Sequence, residues 1–274
     1  MKYDNHLQSA IKILDDYDGK VPLSVFLENF FRQHKQMGLC DRKNISSLTY
    51  NYFRLGHGWK NANKKERILA GTFLCENNSS ELLQYFQPSW NEKIAQSVND
   101  KIYFLSQNDL PFIVTDIFPW KESLSDNINH PEFCLSFLQQ PDLFIRVRKG
   151  KLKEITVLLQ QNSIPYSEYN NACIALPNGT NIDNIIADKS WYTVQDYSSQ
   201  QTAEYFDFLQ PSTNNPQLFI WDCCAGSGGK SILLHDLYPE AKLFVSDIRA
   251  SILHNLQQRF KEAGIKNYES AVID

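Results

Sequence analysis

The densest chemistry in this chain lies in one run, Asp222-Cys223-Cys224-Ala225-Gly226-Ser227-Gly228-Gly229-Lys230-Ser231, directly after the apolar stretch Leu218-Phe219-Ile220-Trp221. The order reads as strand, tight turn, helix. Gly226, Gly228 and Gly229 let the backbone take positive φ and come close to a ligand. The helix that begins near Gly229 or Lys230 aims free N–H groups and its positive dipole end at the same place. Such a turn cradles a nucleotide-like ligand. A turn that merely joins strand to helix has no need of three glycines so close together.

Three ligands compete for it. A Walker-type phosphate loop needs Gly where Cys224 stands, ahead of Gly229-Lys230-Ser231. A dinucleotide fingerprint wants G-x-G-x-x-G, whereas the spacing here is G-x-G-G. S-adenosyl-L-methionine has no phosphates and asks only for close backbone approach plus an acid for the ribose. Asp247 fits that acid. It ends a second apolar strand, Leu243-Phe244-Val245-Ser246, about twenty residues beyond the turn, where a ribose-binding carboxylate belongs. The competing reading of Asp247 is a helix N-cap.

The rest of the chain must position this site. It has 274 residues, 42% hydrophobic and 13% aromatic, enough for two or more cored domains. No apolar run reaches membrane-spanning length and Met1-Lys2-Tyr3-Asp4 opens no signal peptide, so a cytoplasmic protein is expected. Six cysteines with no C-x-x-C pair argue against a metal site or a disulfide framework. Adjacent Cys223 and Cys224 read as small hydrophobes rather than a disulfide. A formal net charge of −4 means that any nucleic-acid binding needs a local basic patch.

Periodicity divides the chain in three. Residues 1–125 read as a helical bundle. Its stripes are Leu7-Ile11-Leu14, Leu23-Phe26-Leu27-Phe30-Phe31 after Pro22, Ile45-Leu48-Tyr52-Phe53 after Asp41, and Ile68-Leu69-Phe73-Leu74 before Glu76-Asn77-Asn78. Residues 88–120 are less clear: Ile94 and Val98 suggest helix, and Pro111 and Pro119 mark breaks. Residues 126–210 read as a small α+β domain. A helix opened by His130-Pro131-Glu132 turns Phe133, Phe137 and Leu138 inward, and strand 143–148, a helix through Leu152, Ile155, Leu158 and Leu159, and strand 172–176 follow. Ser198 and Gln201 suggest a capping box for a helix burying Ala203, Phe206 and Leu209. Residues 211–274 read as β-α-β-α-β, with Ile252, Leu256 and Phe260 inward, Gly264 as a C-cap and Ala271-Val272-Ile273-Asp274 as a third strand. A doubly wound sheet binds its ligand where strand order reverses, and strands beyond that point have not appeared by Asp274. A truncated domain is therefore expected. Its cofactor strand would have an open edge, leaving residues from about 217 onward loosely folded or self-associating.

With these residues in view, the chain resembles the Sun-type (Fmu-like) RNA cytosine-C5 methyltransferases over nearly its whole length. Asp222 to Ser231 is similar to that family's D-x-C-A-A-P-G-G-K-T, departing at Gly226-Ser227 in place of Ala-Pro, a smaller and more flexible turn. Trp191-Tyr192-Thr193-Val194-Gln195-Asp196-Tyr197-Ser198-Ser199-Gln200 is similar to its W-x-x-Q-D-x-x-S-Q block. Pro141-Asp142-Leu143-Phe144-Ile145-Arg146-Val147 is similar to a strand of its RNA-recognition-motif-like domain. Asp41-Arg42 with Tyr52-Phe53-Arg54 resembles the antitermination-factor-like (NusB-like) helical domain at the N-terminus of one bacterial branch.

The resemblance implies a multidomain protein: an α-helical N-terminal domain, a small α+β RNA-recognition-motif-like domain, and the first half of a Rossmann-like α/β methyltransferase domain. It implies S-adenosyl-L-methionine held by Cys224, Ala225, Gly226, Ser227, Gly228, Gly229 and Lys230, with Asp247 on the ribose hydroxyls and Asp274 near the adenine. It implies an RNA partner, ribosomal RNA being the expected class, with Arg146 as a phosphate contact, and neither membrane nor metal. In this family a cysteine thiolate adds to cytosine C6 so that C5 can attack the methyl group, and a second cysteine helps release the product. Both are expected beyond Asp274, so this stretch by itself is expected to be inactive. Cys224, on the cofactor turn, is not read as the nucleophile. The alternative is a non-catalytic RNA-binding or assembly protein with a degenerate methyltransferase half-domain. The target RNA and the oligomeric state stay open.

Overall fold

The computed structural model describes residues 2–170, 172–206 and 217–273. Two compact units divide at residue 140, Met1–Gln140 and Pro141–Asp274. Among the described residues no helix is long and apolar enough to cross a membrane.

The first unit is helical: α1 (Lys2–Asp16), α2 (Leu23–Gln33), α3 (Leu39–Arg54), α4 (Lys64–Cys75), α5 (Glu81–Phe86), α6 (Pro88–Asn91), α7 (Val98–Gln107) and α8 (His130–Leu138). The expected stripes form one core, in which Leu7, Phe30, Ile45, Leu48, Ile68 and Phe73 are buried. α4 lies at its centre and buries nearly every residue, because Gly71 has no Cβ and the α3 backbone at Asn51 comes close; a Cβ there would stand 2.4 Å from the Asn51 carbonyl oxygen. Caps fix the helix starts. Asn63 and Glu66 form a capping box on α4, and Asp41 accepts from the Gly38 N–H at the head of α3. The unclear stretch 88–120 resolves into α6, α7 and a 3₁₀ turn at Val114–Ile117.

The boundary expected at residue 125 moves to 140. Helix α8 packs with the first unit, since Cys134 and Leu138 are fully buried in that core. Phe137, expected inward, is 37% exposed; the helix turns Cys134 and Leu138 to the core instead, four residues apart on one face.

The second unit holds two sheets. β1 (Leu143–Val147), α9 (Leu152–Gln161), β2 (Ser167–Asn170), β3 (Cys173–Leu176) and β4 (Tyr192–Val194) make an antiparallel sheet in the order β2-β3-β1-β4. β2 is wholly exposed and β4 is three residues long, so neither carries an apolar pattern that sequence could reveal. Ile145, Val147, Ile155, Leu159, Ile174 and Leu176 fill the layer under α9. α10 (Tyr197–Gln201) follows, with Asp196 at its N-cap position but without a side-chain capping bond; Ser198 lies inside the helix, so the expected capping box does not form, and a 3₁₀ turn takes over at Thr202. Leu209 lies outside the described residues.

β5 (Phe219–Asp222), α11 (Gly229–Leu237), β6 (Lys242–Asp247), α12 (Ala250–Glu262) and β7 (Tyr268–Val272) make a parallel sheet in the order β5-β6-β7. Gly264, at φ +76, ends α12 as expected. The third strand starts at Tyr268, earlier than its apolar residues suggested.

Candidate functional site

The site forms where β5 and β6 end side by side. Parallel pairing puts Asp222 opposite Val245, so the turn after β5 and the Asp247 end of β6 open on the same edge. The turn is tied to β6 by its backbone, because the Ala225 N–H donates to the Ser246 carbonyl at 3.0 Å. Two hydrogen bonds fix its shoulders. Ser231 donates its hydroxyl to Asp222 Oδ2 at 2.7 Å, and the Trp221 indole N–H reaches Ser246 Oγ at 3.0 Å.

Two of the glycines do different work. Gly228, at φ +82, is the N-cap of α11, and a Cβ there would stand 2.9 Å from Leu256 Cγ and 3.0 Å from Phe260 Cε1. It lets the turn sit down on α12. Gly226, at φ +53, has nothing within 4 Å of where a Cβ would stand. Its open side is the space a ligand can approach.

Asp247 is 5% exposed, and its carboxylate closes this space. Oδ2 accepts from the Gly226 N–H at 3.1 Å. Oδ1 accepts from the backbone N–H and Nε of Arg249, both at 3.0 Å, and Arg249 Nη2 reaches Oδ2 at 3.3 Å. The Arg249 side chain, then its backbone N–H, then that of Gly226 hold the Asp247 carboxyl down at about 2. It is thus anionic at neutral pH. Four donors fill the roughly four acceptor positions of a carboxylate, and two of the four belong to an exposed arginine side chain.

This geometry bears on what the turn can bind. The Gly226 amide, which a phosphate would need, is already given to a carboxylate, and an anion beside the turn repels phosphate. A ribose diol, by contrast, donates to it. Of the expected cofactor residues, the structure brings Ala225, Gly226, Ser227, Gly228, Gly229 and Asp247 together; Cys224 and Lys230 lie exposed at the rim. Asp274 lies outside the described residues. Asp247 has a local role as well, since it accepts from the Arg249 N–H at the head of α12.

Cys223 and Cys224 are both exposed thiols. Cys223 beside it, with Asp247 and Asp222 further off, pushes the Cys224 thiol up, so its thiolate is disfavoured.

Arg146 requires a correction. It is 5% exposed, donates from Nε to Gln195 Oε1 at 3.0 Å, and pairs through Nη1 with Asp236 of α11 at 2.7 Å. Strand alternation explains the error. Ile145 and Val147 point into the core under α9, so Arg146 must point to the opposite face, and that face is covered by α10 and α11. Its charge is spent inside the unit and is not offered to RNA. Arg148 joins the same carboxylate through Nε and Nη2, and also donates to the Ser190 and Ala263 carbonyls.

Three residues of the site escaped sequence reasoning. Gln195 accepts from Arg146, donates to Ser199 Oγ at 3.1 Å, and packs its side chain under Gly229. The W…QD block marked it without giving its role. Arg249, at the head of α12, and Arg259, on it, carried no signal, because an arginine in either place is ordinarily a solvated residue.

No family model matches the chain. Among curated proteins it is similar to "Ribosomal RNA small subunit methyltransferase B" of Citrobacter koseri, 28% identical over 134 residues, which is 47% of this chain and 30% of that protein. The matched part thus spans about a third of that relative's length. Among solved structures, the crystal structure of PH0851 superposes on 100% of this chain and 69% of its own, with a TM-score of 0.61 at 15% identity. Two smaller superpositions carry no further argument. One is NSun6 from Pyrococcus horikoshii with SFG, at TM-score 0.40 and 12% identity over 49% of this chain and 59% of that one. The other is a methyltransferase homologue from the same organism, at TM-score 0.45 and 14% identity over 53% and 48%. The curated relative thus agrees in sequence with the resemblance read from the motifs, and PH0851 shares the fold over the whole chain.

Proposed function

Starting from this kinship with the Sun-type RNA methyltransferases, we propose that residues 217–274 form the S-adenosyl-L-methionine half-site of an RNA cytosine-C5 methyltransferase. The observation that carries the reading is the buried Asp247 carboxylate, anionic and bonded to Gly226 across an open glycine turn. The donor set fits the cofactor: a carboxylate for a ribose diol and a backbone that a ligand can approach at Gly226. When bound, the cofactor supplies an electrophilic methyl group on sulfonium.

The chain's own residues do the holding. Asp247 accepts from the two ribose hydroxyls, which take the place of the two donors of the Arg249 side chain. The exchange is two donors for two, and the backbone N–H groups of Gly226 and Arg249 stay in place. Asp222, held by Ser231, keeps the end of β5 and the head of α11 together. The substrate is RNA, ribosomal RNA being the class that the curated relative's name suggests. The thiol that activates the base is not assigned to Cys224. On the antiparallel sheet the exposed aromatic is Tyr169, beside Tyr197 at 5.0 Å and Phe144 at 5.3 Å. Such an edge offers a base a stacking surface worth about 1–3 kcal/mol, and it replaces Arg146 as the RNA contact.

Calorimetry with S-adenosyl-L-methionine tests the reading. Asp247→Ala should weaken binding by about 1.5–3 kcal/mol, the worth of hydrogen bonds to a charged group, with RNA binding little changed. Unchanged cofactor affinity would remove Asp247 from the site, and no binding by the native chain would overturn the reading.

A further inference from the structure

The glycine turn has little in its own sequence to hold it still. Gly226, Gly228 and Gly229 each surrender more backbone freedom on ordering than any other residue. Ser227 stands where the motif it resembles has proline, which would have fixed φ. The ends of the turn are held locally, by Asp247 at Gly226 and by the Gly228 N–H donating to the Ala225 carbonyl at 2.9 Å.

The middle is held from elsewhere. Arg259, on α12, donates from Nη1 to the Ser227 carbonyl at 3.1 Å and to Ser227 Oγ at 2.9 Å. From Nη2 it donates to the carbonyl of Val194, the last residue of β4, at 2.7 Å. One guanidinium therefore joins three elements far apart in sequence: the turn, α12, and the edge of the antiparallel sheet. The planar fork spans these acceptors at once, which an ammonium cannot do.

We propose that Arg259 is a positioning residue for the cofactor turn: it supplies from α12 the rigidity that Gly226-Ser227 lacks, and it locks the turn to the edge of the antiparallel sheet. The role rests on reading the turn as the S-adenosyl-L-methionine site. A turn already ordered loses less freedom when the ligand arrives. Ser227 is the matching half of the device, since its hydroxyl gives the guanidinium a second acceptor that proline would not.

The test uses the whole chain and two independent readouts, S-adenosyl-L-methionine affinity and amide exchange at residues 226–229. Arg259→Gln should weaken affinity about tenfold, and Arg259→Lys nearly as much, because the charge remains while the fork is lost. Ser227→Ala, which keeps the carbonyl bond, should cost only about two- to threefold. In the Arg259→Gln background, Ser227→Pro should recover part of the lost affinity, because proline fixes φ at the centre of the turn and restores stiffness from its own backbone. A general loss of stability would not be repaired in this way. Unchanged affinity in both Arg259 variants, or a proline replacement that recovers nothing, overturns the proposal. If the native chain binds no S-adenosyl-L-methionine, the cofactor reading falls and exchange alone decides the clamp. Faster exchange at 226–229 in Arg259→Gln, with the interior of α11 unchanged, supports it, and unchanged exchange overturns it.

Discussion

Replacing Asp236 by alanine should be among the most damaging single changes in the second unit. Its carboxylate faces Arg146 at 2.7 Å and Arg148 at 2.5 Å, with side-chain exposures of 6% and 16% for the two arginines and 15% for the aspartate. Burial lowers the pKa of Arg146 and Asp236 opposes that shift, so Arg146 keeps its charge. Without Asp236 two buried cations lie side by side. Arg148 still has the Ser190 and Ala263 carbonyls. Arg146 keeps only Gln195, and its Nη2 already lacks a partner. Breaking a buried pair costs about 3–5 kcal/mol. Alanine returns up to about 0.7 kcal/mol of helix propensity and removes an anion near the C-terminal end of α11, worth about 0.3–1 kcal/mol. The net expectation is a loss of about 2–4 kcal/mol, little affected by salt because the groups are buried. Native-state hydrogen exchange suits a two-unit chain, in which a single unfolding midpoint is not defined. Amides of β1 and α11 should exchange roughly 30-fold to several-hundred-fold faster in Asp236→Ala, while those of α4 stay unchanged. Adding Arg146→Met should recover part of the loss, because one stranded cation goes. A loss under about 1 kcal/mol, or no recovery in the double variant, would refute the claim that Asp236 is what compensates the buried Arg146 charge.

Two further outcomes follow from the turn. In Arg249→Ala the Asp247 carboxyl should titrate above its native value of about 2, toward the ordinary 3.8, as read by carboxyl-carbon NMR. Because the native value is depressed, the stability that this carboxylate contributes is fully present above about pH 4 and is lost as pH falls toward 2. The same variant should bind S-adenosyl-L-methionine at least as tightly as the native chain, since the ribose then displaces no arginine; weaker binding would show that Arg249 is a ligand contact. Gly228→Ala should cost about 2–4 kcal/mol in exchange-derived stability, from positive φ and contact with Leu256 and Phe260. Gly226→Ala should cost about 1–2 kcal/mol of strain and no packing, and should weaken the ligand instead. Equal stability costs for the two would contradict the assignment of Gly226 to the ligand and Gly228 to α12.

The residues that sequence alone could place are those whose role is local. A strand that runs into glycines and then a helix admits few backbones, so the turn at 223–228 and the start of α11 were legible. So was Asp247, because parallel strands joined by right-handed crossovers end on one edge whatever else the chain does. The helical stripes of the first unit followed from a period of 3.6. Arg146 shows where this stops. Alternation put it opposite Ile145 and Val147, but only the packing of α10 and α11 decided whether that face met water or protein. In the same way Ser227 gave no sign of its partner, because Arg259 lies 32 residues further along the chain. α8 belonged by pattern to either neighbour, and the core that received Cys134 and Leu138 decided which. Periodicity and turn chemistry act over a few residues and are written in the chain. Which face is covered, and by whose charge, is a contest between distant segments that only the folded structure resolves.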